Sequence, residues 1–169
     1  MEVMEAIKTR RSIRKYQDKA IDENILHDLL DAGFCAPSAM NFRPVHFVVI
    51  QKKDQLKKVS ACGMFTKMIK NASCCIVVVG DTKKQKIHDL LVNDCSAAIE
   101  NILLAAHGFG LGAVWCGVPE KRGLDRKIKE LIELPDKMQA FGLIAVGYPD
   151  EIKDGKDRYE ESKIHYEKW

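Results

Sequence analysis

Four short apolar runs, separated by segments with helical periodicity, constrain the fold of this chain most strongly. Each run is rich in β-branched or other apolar residues, which indicates a buried strand. The runs are VHFVVIQ (45–51), SCCIVVVG (73–80), GAVWCGV (112–118) and QAFGLIAVGYP (139–149). Strands separated by helices predict an α/β or α+β chain, with three layers built around one sheet.

The segments between these runs have helical patterns. Helices are predicted at 3–10, 22–36, 54–60, 64–70, 88–109 and 124–134. In the first we expect Val3, Met4 and Ile7 to point inward, and Asp22 is suited to be the N-cap of the second. The last seven residues, KIHYEKW (163–169), could form one more strand.

The helix predicted at 88–109 is apolar nearly all round. Its apolar residues include Leu90, Leu91, Ala98, Ile99, Ile102, Leu103 and Ala106. A helix with so little polar surface is buried in a large core or at an interface. Because a chain of 169 residues has a small core, burial of this helix at an interface is favoured over burial in the core.

Composition excludes several classes of function. Hydrophobic content of 46% and charged content of 30% are ordinary for a globular domain, and a net charge of +3 is too small to indicate nucleic-acid binding by itself. The first residues, MEVMEAIKTRR, carry acids and lack an apolar stretch, so we expect no signal peptide. The apolar runs are too short to span a bilayer, and we expect a cytoplasmic location. The six cysteines form no C-x-x-C pair and have no histidine at ligand spacing, which argues against a metal site or a disulfide framework.

Motifs for side-chain catalysis are missing from the sequence. It contains no G-x-S-x-G, no G-x-x-x-x-G-K-[ST] and no H-E-x-x-H. The glycines of HGFGLGAVWCG (107–117) follow a helix, whereas a dinucleotide fingerprint follows a strand, so these glycines are better explained as a helix C-cap. If the protein is an enzyme, a cofactor is expected to carry the chemistry.

Two basic stretches and one loop are candidates for binding such a cofactor. IKTRRSIRKYQ (7–17) and DGKDR (154–158) could close on one phosphate, or could be solvated surface. In CAPSAMNFRPVHFVV (35–49), Pro37, Ser38 and Asn41 precede a buried strand. Their polar groups could hydrogen-bond a flat heterocycle, or could simply form a turn.

Taken in order, four motifs resemble the nitroreductase family of FMN-dependent oxidoreductases. They are RRSIRKY (10–16), APSAMNFRP (36–44), AAHGFGLGAVWCG (105–117) and GYP…KDR…HYEKW (147–169). The resemblance extends over essentially the whole chain and is to the compact members of the family. It implies a single FMN-binding domain over residues 1–169, folded as an α+β three-layer α/β/α sandwich around one mixed sheet. It also implies an intertwined homodimer with two FMN sites at the subunit interface, in which the 88–109 helix forms the dimer core and KIHYEKW lies across the partner.

The resemblance further implies which residues hold FMN. Around the phosphate it places Arg10, Arg11, Ser12, Lys156 and Arg158. Arg14 would reach the pyrimidine side of the flavin, where N1 and O2 gain negative charge on reduction. The other subunit would supply Pro37, Ser38, Ala39, Met40 and Asn41 to line the ribityl chain and ring. Trp115, Cys116 and Gly117 would lie against the ring, with the Gly117 backbone N–H directed towards N5.

The activity implied by the resemblance is two-electron ping-pong transfer at the flavin. NADH or NADPH passes a hydride to N5 and leaves, and a flat electrophile such as a nitroaromatic or a quinone is then reduced. No catalytic side chain, metal, nucleic acid or membrane is implied. Other chemistry on the same fold (dehalogenation or flavin destruction) and a non-catalytic flavin-binding protein remain alternatives. The segment SACGMFTKMIKNAS (60–73) is short compared with the helices that cover the flavin in larger relatives, so the substrate cannot be carried over.

Overall fold

A four-stranded sheet forms the centre of the protein in the computed structural model, which describes residues 1–119, 123–155 and 157–169. The strands are β1 (Val45–Ile50), β2 (Cys74–Asp81), β3 (Gly112–Gly117) and β4 (Met138–Gly147), in the spatial order β1-β2-β4-β3. β2 and β4 occupy the centre of the sheet, and every residue of β2 is buried. All four strands predicted from the apolar runs are confirmed.

The pairing of the strands decides between the two fold classes that the sequence left open. All neighbouring strands are antiparallel, so the fold is α+β. We expected a mixed sheet, but the parallel pairing among the described residues is a single bridge, between Ser12 and Ala113 beside β3. Two strands joined by helices are antiparallel when the second strand begins at the end of the sheet where the first strand stops. The two helical segments between β1 and β2 pack against each other and return the chain in this way.

Helices cover both faces of the sheet, as the three-layer prediction requires. One face is covered by α2 (Glu23–Phe34) and α4 (His88–Gly108). The other is covered by α3 (Lys53–Ala61), a 3-10 helix at Met64–Asn71 (the 64–71 segment) and α5 (Leu124–Leu131). Alternate residues of β2 belong to the two apolar cores, because successive side chains of a strand point to opposite faces.

The remaining helical elements are short. Among the residues that the structure describes, they are α1 (Val3–Thr9) and two 3-10 turns, Ala39–Asn41 and Glu161–Lys163. The N-cap predicted for α2 is confirmed, since Asp22 accepts a hydrogen bond from the Asn24 backbone N–H at 2.8 Å. The described residues of the tail, 157–169, are exposed and contain no strand, so KIHYEKW does not extend the sheet of its own chain.

The apolar surface of α4 is explained largely within one chain. The residues that suggested an interface lie mostly against the sheet and α2, where Leu91, Ala98, Ile99, Ile102, Leu103 and Ala106 are buried. These side chains are therefore covered within one chain, and the role of the helix in a dimer core stays a prediction. The opposite face is half-buried and carries Ala97 and Leu104. Among the helices that the structure describes, α4 included, none has the length and apolarity needed to cross a membrane.

The orientation predicted for α1 is wrong. Val3, Met4 and Ile7 are exposed, and the buried residue of this helix is Ala6. The helix packs on α4 through this small side chain and turns its large apolar residues outward. The chain therefore leaves an apolar face uncovered at α1.

Candidate functional site

A cavity of about 1100 Å³ lies between the edge strand β3 and the 64–71 segment. Residues from the start of α4 and the start of α5 also line it. Its wall is mostly aromatic, aliphatic and sulfur-containing. The side chains that shape it include Met64, Phe65, Met68, Val92, Trp115 and Phe141. Polar character comes from residues that include Arg14, His88 and Gln139. Such a wall suits a flat, largely apolar ring that needs a few polar contacts.

The end of β3 presents both an aromatic ring and open backbone to this cavity. Trp115 is 40% exposed, and Gly117 is exposed at the strand end. A Cβ on Gly142 of β4 would lie 2.7 Å from the Trp115 Nε1, so this glycine leaves room for the indole. A Cβ built on Gly117 would have no neighbouring atom within 4 Å. A planar group can therefore approach the backbone at Gly117 without obstruction.

Cys116 joins β3 to the cavity wall. Its Sγ donates a hydrogen bond to the Phe65 carbonyl at 3.1 Å and lies 4.0 Å from the Met68 Sδ. Burial raises the pKa of this thiol, while the nearby Arg14 lowers it to a lesser extent. A thiol that stays protonated remains a donor, so it can hold the 64–71 segment against β3.

The basic stretch at 10–16 lies directly against β3. The Ile13 N–H donates to the Ala113 carbonyl at 3.0 Å, and a Cβ on Gly112 would lie 2.6 Å from Ile13. Glycine at 112 therefore permits this close approach. As a result Arg14, only one residue further on, reaches the cavity.

Residues 149–154 lie beside the same stretch. The Glu151 Oε1 accepts hydrogen bonds from the Arg14 N–H at 2.6 Å and the Lys15 N–H at 3.3 Å. The Arg14 N–H is the main cause that holds the pKa of Glu151 below its usual value. Lys153 forms an ion pair with Glu151 and donates to the Ser12 carbonyl. The two stretches that were expected to meet are thus adjacent up to residue 154. Lys156 lies outside the described residues, and Arg158 is exposed.

Two neighbouring arginines of the basic stretch have different environments. The Arg11 guanidinium donates to the carbonyls of Lys8, Arg10 and Asp154 at 2.9, 2.6 and 3.1 Å. Its Nη2 is buried without a hydrogen-bond partner in the described part of the chain. Arg10 instead contacts Glu100 of α4 through Nε, 3.3 Å from the carboxylate oxygen. This contact leaves the outer edge of the Arg10 guanidinium available for a bidentate anion.

His107, at the end of α4, lies in the same basic corner. Its Nε2 is 2.7 Å from the Thr9 hydroxyl, which itself donates to the Glu5 carbonyl, so the ring nitrogen acts as the donor. Partial burial and the charge of Arg10 lower the pKa of His107. The corner thus disfavours a further positive charge, as expected where an anion would bind.

The loop at 36–44 has a strained backbone and does not line the cavity of its own chain. Met40, Asn41 and Arg43 have φ values of 51°, 55° and 48°, in the left-handed region that side chains other than glycine rarely adopt. The Ser38 Oγ accepts a hydrogen bond from the Arg43 N–H at 2.9 Å. Asp94 of α4 accepts one from the Ala39 N–H at 2.8 Å.

The structure brings together part of the set predicted from the sequence. Arg14, Trp115, Cys116 and Gly117 meet at the cavity, and Arg10, Arg11 and Ser12 lie on the adjoining segment. Within one chain, the predicted loop residues Pro37, Ser38, Ala39, Met40 and Asn41 stand apart from them. Sequence reasoning missed Phe65, Phe141 and Asp94. No local pattern of the sequence distinguishes Asp94 from Asp89 and Glu100, the other acids of α4.

An antiparallel α+β sandwich with an apolar cavity at an edge strand and a basic corner beside it defines a protein that can hold a flat anionic ligand. Comparison with known proteins identifies the family. A model of the Nitroreductase family matches residues 7–66 and 60–148, and the chain belongs to this family. The resemblance drawn from the ordered motifs is confirmed.

Individual relatives agree along nearly the whole length. The chain is 44% identical over 169 residues to a putative NADH dehydrogenase/NAD(P)H nitroreductase of Methanothermobacter thermautotrophicus, covering 100% of this chain and 88% of that protein. A crystal structure of a protein of the same description from Parabacteroides distasonis superposes with a TM-score of 0.94 at 35% identity, over 99% of this chain and 98% of the other. A nitroreductase from Desulfovibrio desulfuricans, crystallised in complex with FMN, gives 0.85 at 28% identity, over 100% and 98%.

Proposed function

We propose that this protein is an FMN-dependent oxidoreductase that takes a hydride from NADH or NADPH and reduces flat electrophiles such as nitroaromatics and quinones. The observation that carries the proposal is the cavity at β3, where an aromatic ring, open backbone at Gly117 and the cation Arg14 surround space for a planar ring system. The volume of about 1100 Å³ is slightly above the usual range of ligand sites, roughly 300–1,000 Å³. The space therefore suits two flat molecules in contact.

The basic corner fits the phosphate of FMN. Arg10 pairs with Glu100 through Nε, which would leave its terminal nitrogens for an anion, and Ser12 adds a hydroxyl. The lowered pKa of His107 reflects partial burial and the nearby charge of Arg10. Arg11 is committed to backbone carbonyls, so we assign it to holding the chain in place rather than to direct phosphate binding. Lys156 and Arg158 remain proposed phosphate ligands that follow directly on the anchored residue 154.

We propose that the loop at 36–44 completes the site of a second subunit in a homodimer. Met40 is 67% exposed and Phe42 is also exposed, on a backbone that costs energy to form. Strained loops of this kind cluster at ligand clamps. The uncovered apolar residues of α1 and the half-buried face of α4 are the surfaces that such a partner would bury.

FMN, when bound, would supply the redox chemistry of two-electron ping-pong transfer. The protein positions the reactants and tunes the charge. Arg14 at the cavity would favour negative charge on the flavin pyrimidine ring, and the Gly117 backbone would offer a hydrogen bond near N5. Phe65, Met64 and Trp115 would exclude water and hold a flat reductant or acceptor by stacking.

The proposal is tested by loading the purified protein with FMN and adding NADH or NADPH without oxygen. The visible absorption of oxidised flavin should bleach, and a nitroaromatic or quinone added afterwards should restore it. Steady-state rates should give the parallel double-reciprocal lines of a ping-pong reaction. A protein that binds no FMN, or whose bound flavin is not reduced by either nucleotide, would contradict the proposal.

A further inference from the structure

One carboxylate lies in the buried, otherwise apolar face of α4. Asp94 is 5% exposed and sits beside the buried Leu91, Cys95 and Ala98. Burial of a carboxylate is costly unless hydrogen bonds or a partner charge compensate for it. A side chain of this kind in a helix core therefore calls for an explanation in terms of what it contacts.

Asp94 contacts the loop at 36–44. Its Oδ1 accepts a hydrogen bond from the Ala39 N–H at 2.8 Å, which is the first amide of the 3-10 turn Ala39–Asn41. The Ser38 side chain, at the N-cap position of this turn, does not cap it and instead accepts from the Arg43 N–H. Asp94 thus supplies from α4 the cap that the loop does not supply itself. In the described part of the chain no donor reaches the buried Oδ2.

The loop needs such an anchor because its backbone is strained. The left-handed conformations of Met40, Asn41 and Arg43 persist only where surrounding contacts enforce them. The bonds within the loop are local. Two join backbone groups of the turn, and two join side chains, Ser38 with the Arg43 N–H and the Asn41 Oδ1 with the Arg43 Nε at 3.0 Å. The hydrogen bond to Asp94 connects this strained turn to a long helix packed on the sheet.

We infer that Asp94 is a positioning residue that holds the 36–44 loop in the shape required to contact the flavin bound by the partner subunit. This inference rests on the proposed function. The Asp94 Oδ1 accepts from the Ala39 N–H, so Asp94 favours this one orientation of the Ala39 amide. The loop is thereby formed before the flavin arrives, which lowers the entropic cost of binding.

The test compares Asp94→Ala and Asp94→Asn with Asp89→Ala, an exposed acid in the first turn of the same helix. Dissociation constants for FMN and for riboflavin are measured on flavin-free protein by fluorescence quenching, together with hydrogen exchange of the 36–44 peptide. Asp94→Ala should weaken both flavins by the same factor, about tenfold or more, because the loop contacts ring and ribityl chain and not phosphate. Exchange at the loop should accelerate. Asp94→Asn, which keeps an acceptor oxygen, should recover most of the affinity, and Asp89→Ala should match wild type.

Three results would overturn the inference. They are wild-type flavin affinity in Asp94→Ala, a loss confined to FMN, and a lower melting temperature with unchanged affinity of the folded protein. If Asp94→Ala does not fold, the inference is tested by the flavin affinity of Asp94→Asn and by hydrogen exchange of the loop in the wild-type protein. An Ala39 amide that exchanges freely would contradict the hydrogen bond to Asp94 as an anchor. Failure of wild-type protein to bind FMN would instead contradict the proposed function, and the exchange measurement would still test the anchor.

Discussion

Arg10 and Arg11 are adjacent in the sequence, yet their guanidinium groups have different tasks. Arg11 is bound to three backbone carbonyls, whereas Arg10 contacts one carboxylate through Nε. The sequence placed both beside a phosphate because composition and family resemblance do not distinguish neighbours. The distinction depends on the direction in which each side chain points from the backbone. That direction is set by the end of α1 at Thr9 and by residue 154, which lies beside Arg11.

The two arginines should respond differently to substitution. Arg10→Ala should weaken FMN by roughly ten- to a hundredfold, corresponding to a lost charged hydrogen bond of about 1.5–3 kcal/mol, and should affect riboflavin little. Arg11→Ala should lower the melting temperature by roughly 4–8 °C, from about 2 kcal/mol of lost hydrogen bonding, and should keep the preference for FMN over riboflavin. Equal losses of FMN preference in the two variants would refute the division of roles.

His107 provides a spectroscopic probe of the same corner. Because burial and Arg10 disfavour the imidazolium, its pKa in flavin-free protein should lie below 6.5. A phosphate dianion at Arg10 favours the imidazolium, so FMN should raise this pKa and riboflavin should not. The measurement is an NMR titration of the His107 ring protons in each state. An FMN complex with an unchanged pKa would place the phosphate elsewhere.

At the scale of elements, the sequence predicted where helices and strands lie along the chain better than it predicted what covers their apolar faces. The strands and helices were found because apolar periodicity reports which residues avoid water. Periodicity does not report which element covers them. Val3, Met4 and Ile7 were expected inside and lie outside, while the apolar residues of α4 were expected in a core or at an interface and lie mostly against the sheet and α2.

The same limit applies to the candidate site. Residues on continuous motifs, such as Arg14 and Gly117, could be predicted to lie together, and the structure places both at the cavity. Phe65, Phe141 and Asp94 enter the site through tertiary contacts between distant segments, so no local pattern announces them. The antiparallel sheet was not predicted either, because strand direction depends on how the helical segments between β1 and β2 pack together.

Cys116 should act as a structural donor between two elements rather than as a reactive thiol. Burial raises its pKa, so alkylation by iodoacetamide should be slow in native protein at neutral to mildly alkaline pH and complete after unfolding. Cys116→Ala should accelerate hydrogen exchange in the 64–71 segment, and Cys116→Ser, which keeps a donor for the Phe65 carbonyl, should not. Rapid labelling of Cys116 in the folded protein would contradict this assignment.

At the scale of the molecule, many large apolar side chains of one chain lie outside its core and are exposed. Large apolar side chains are exposed on α1, at the ends of α2 and α4, and along the tail; they include Val3, Met4, Ile7, Phe34, Phe109 and Trp169. Where such side chains adjoin one another, as Val3, Met4 and Ile7 do along one short helix, they mark an interaction site. A homodimer would cover such a surface and would bring the exposed 36–44 loop towards a second cavity.

The proposed dimer should therefore depend on α1. Light scattering of the wild-type protein should give the mass of two chains. Ile7→Glu should produce a monomer, or a dimer that dissociates on dilution, since a charge would be buried at the interface. Lys8→Glu on the same short helix is a control for the charge itself. A wild-type protein that is a stable monomer would contradict the dimer.

The central claim, that each FMN site combines the basic corner of one chain with the loop of the other, is tested most directly by mixing defects. Arg10→Ala and a loop variant, Ser38→Ala with Asn41→Ala, are first made as separate homodimers, and both should bind FMN weakly. They are then co-expressed with different tags, and the heterodimer is purified for FMN titration. If sites are shared, one site receives both defects and the other none, so the heterodimer should bind about half the flavin of wild type with wild-type affinity. If each site lies within one chain, both sites of the heterodimer are defective, and the absence of a tight site would contradict the account.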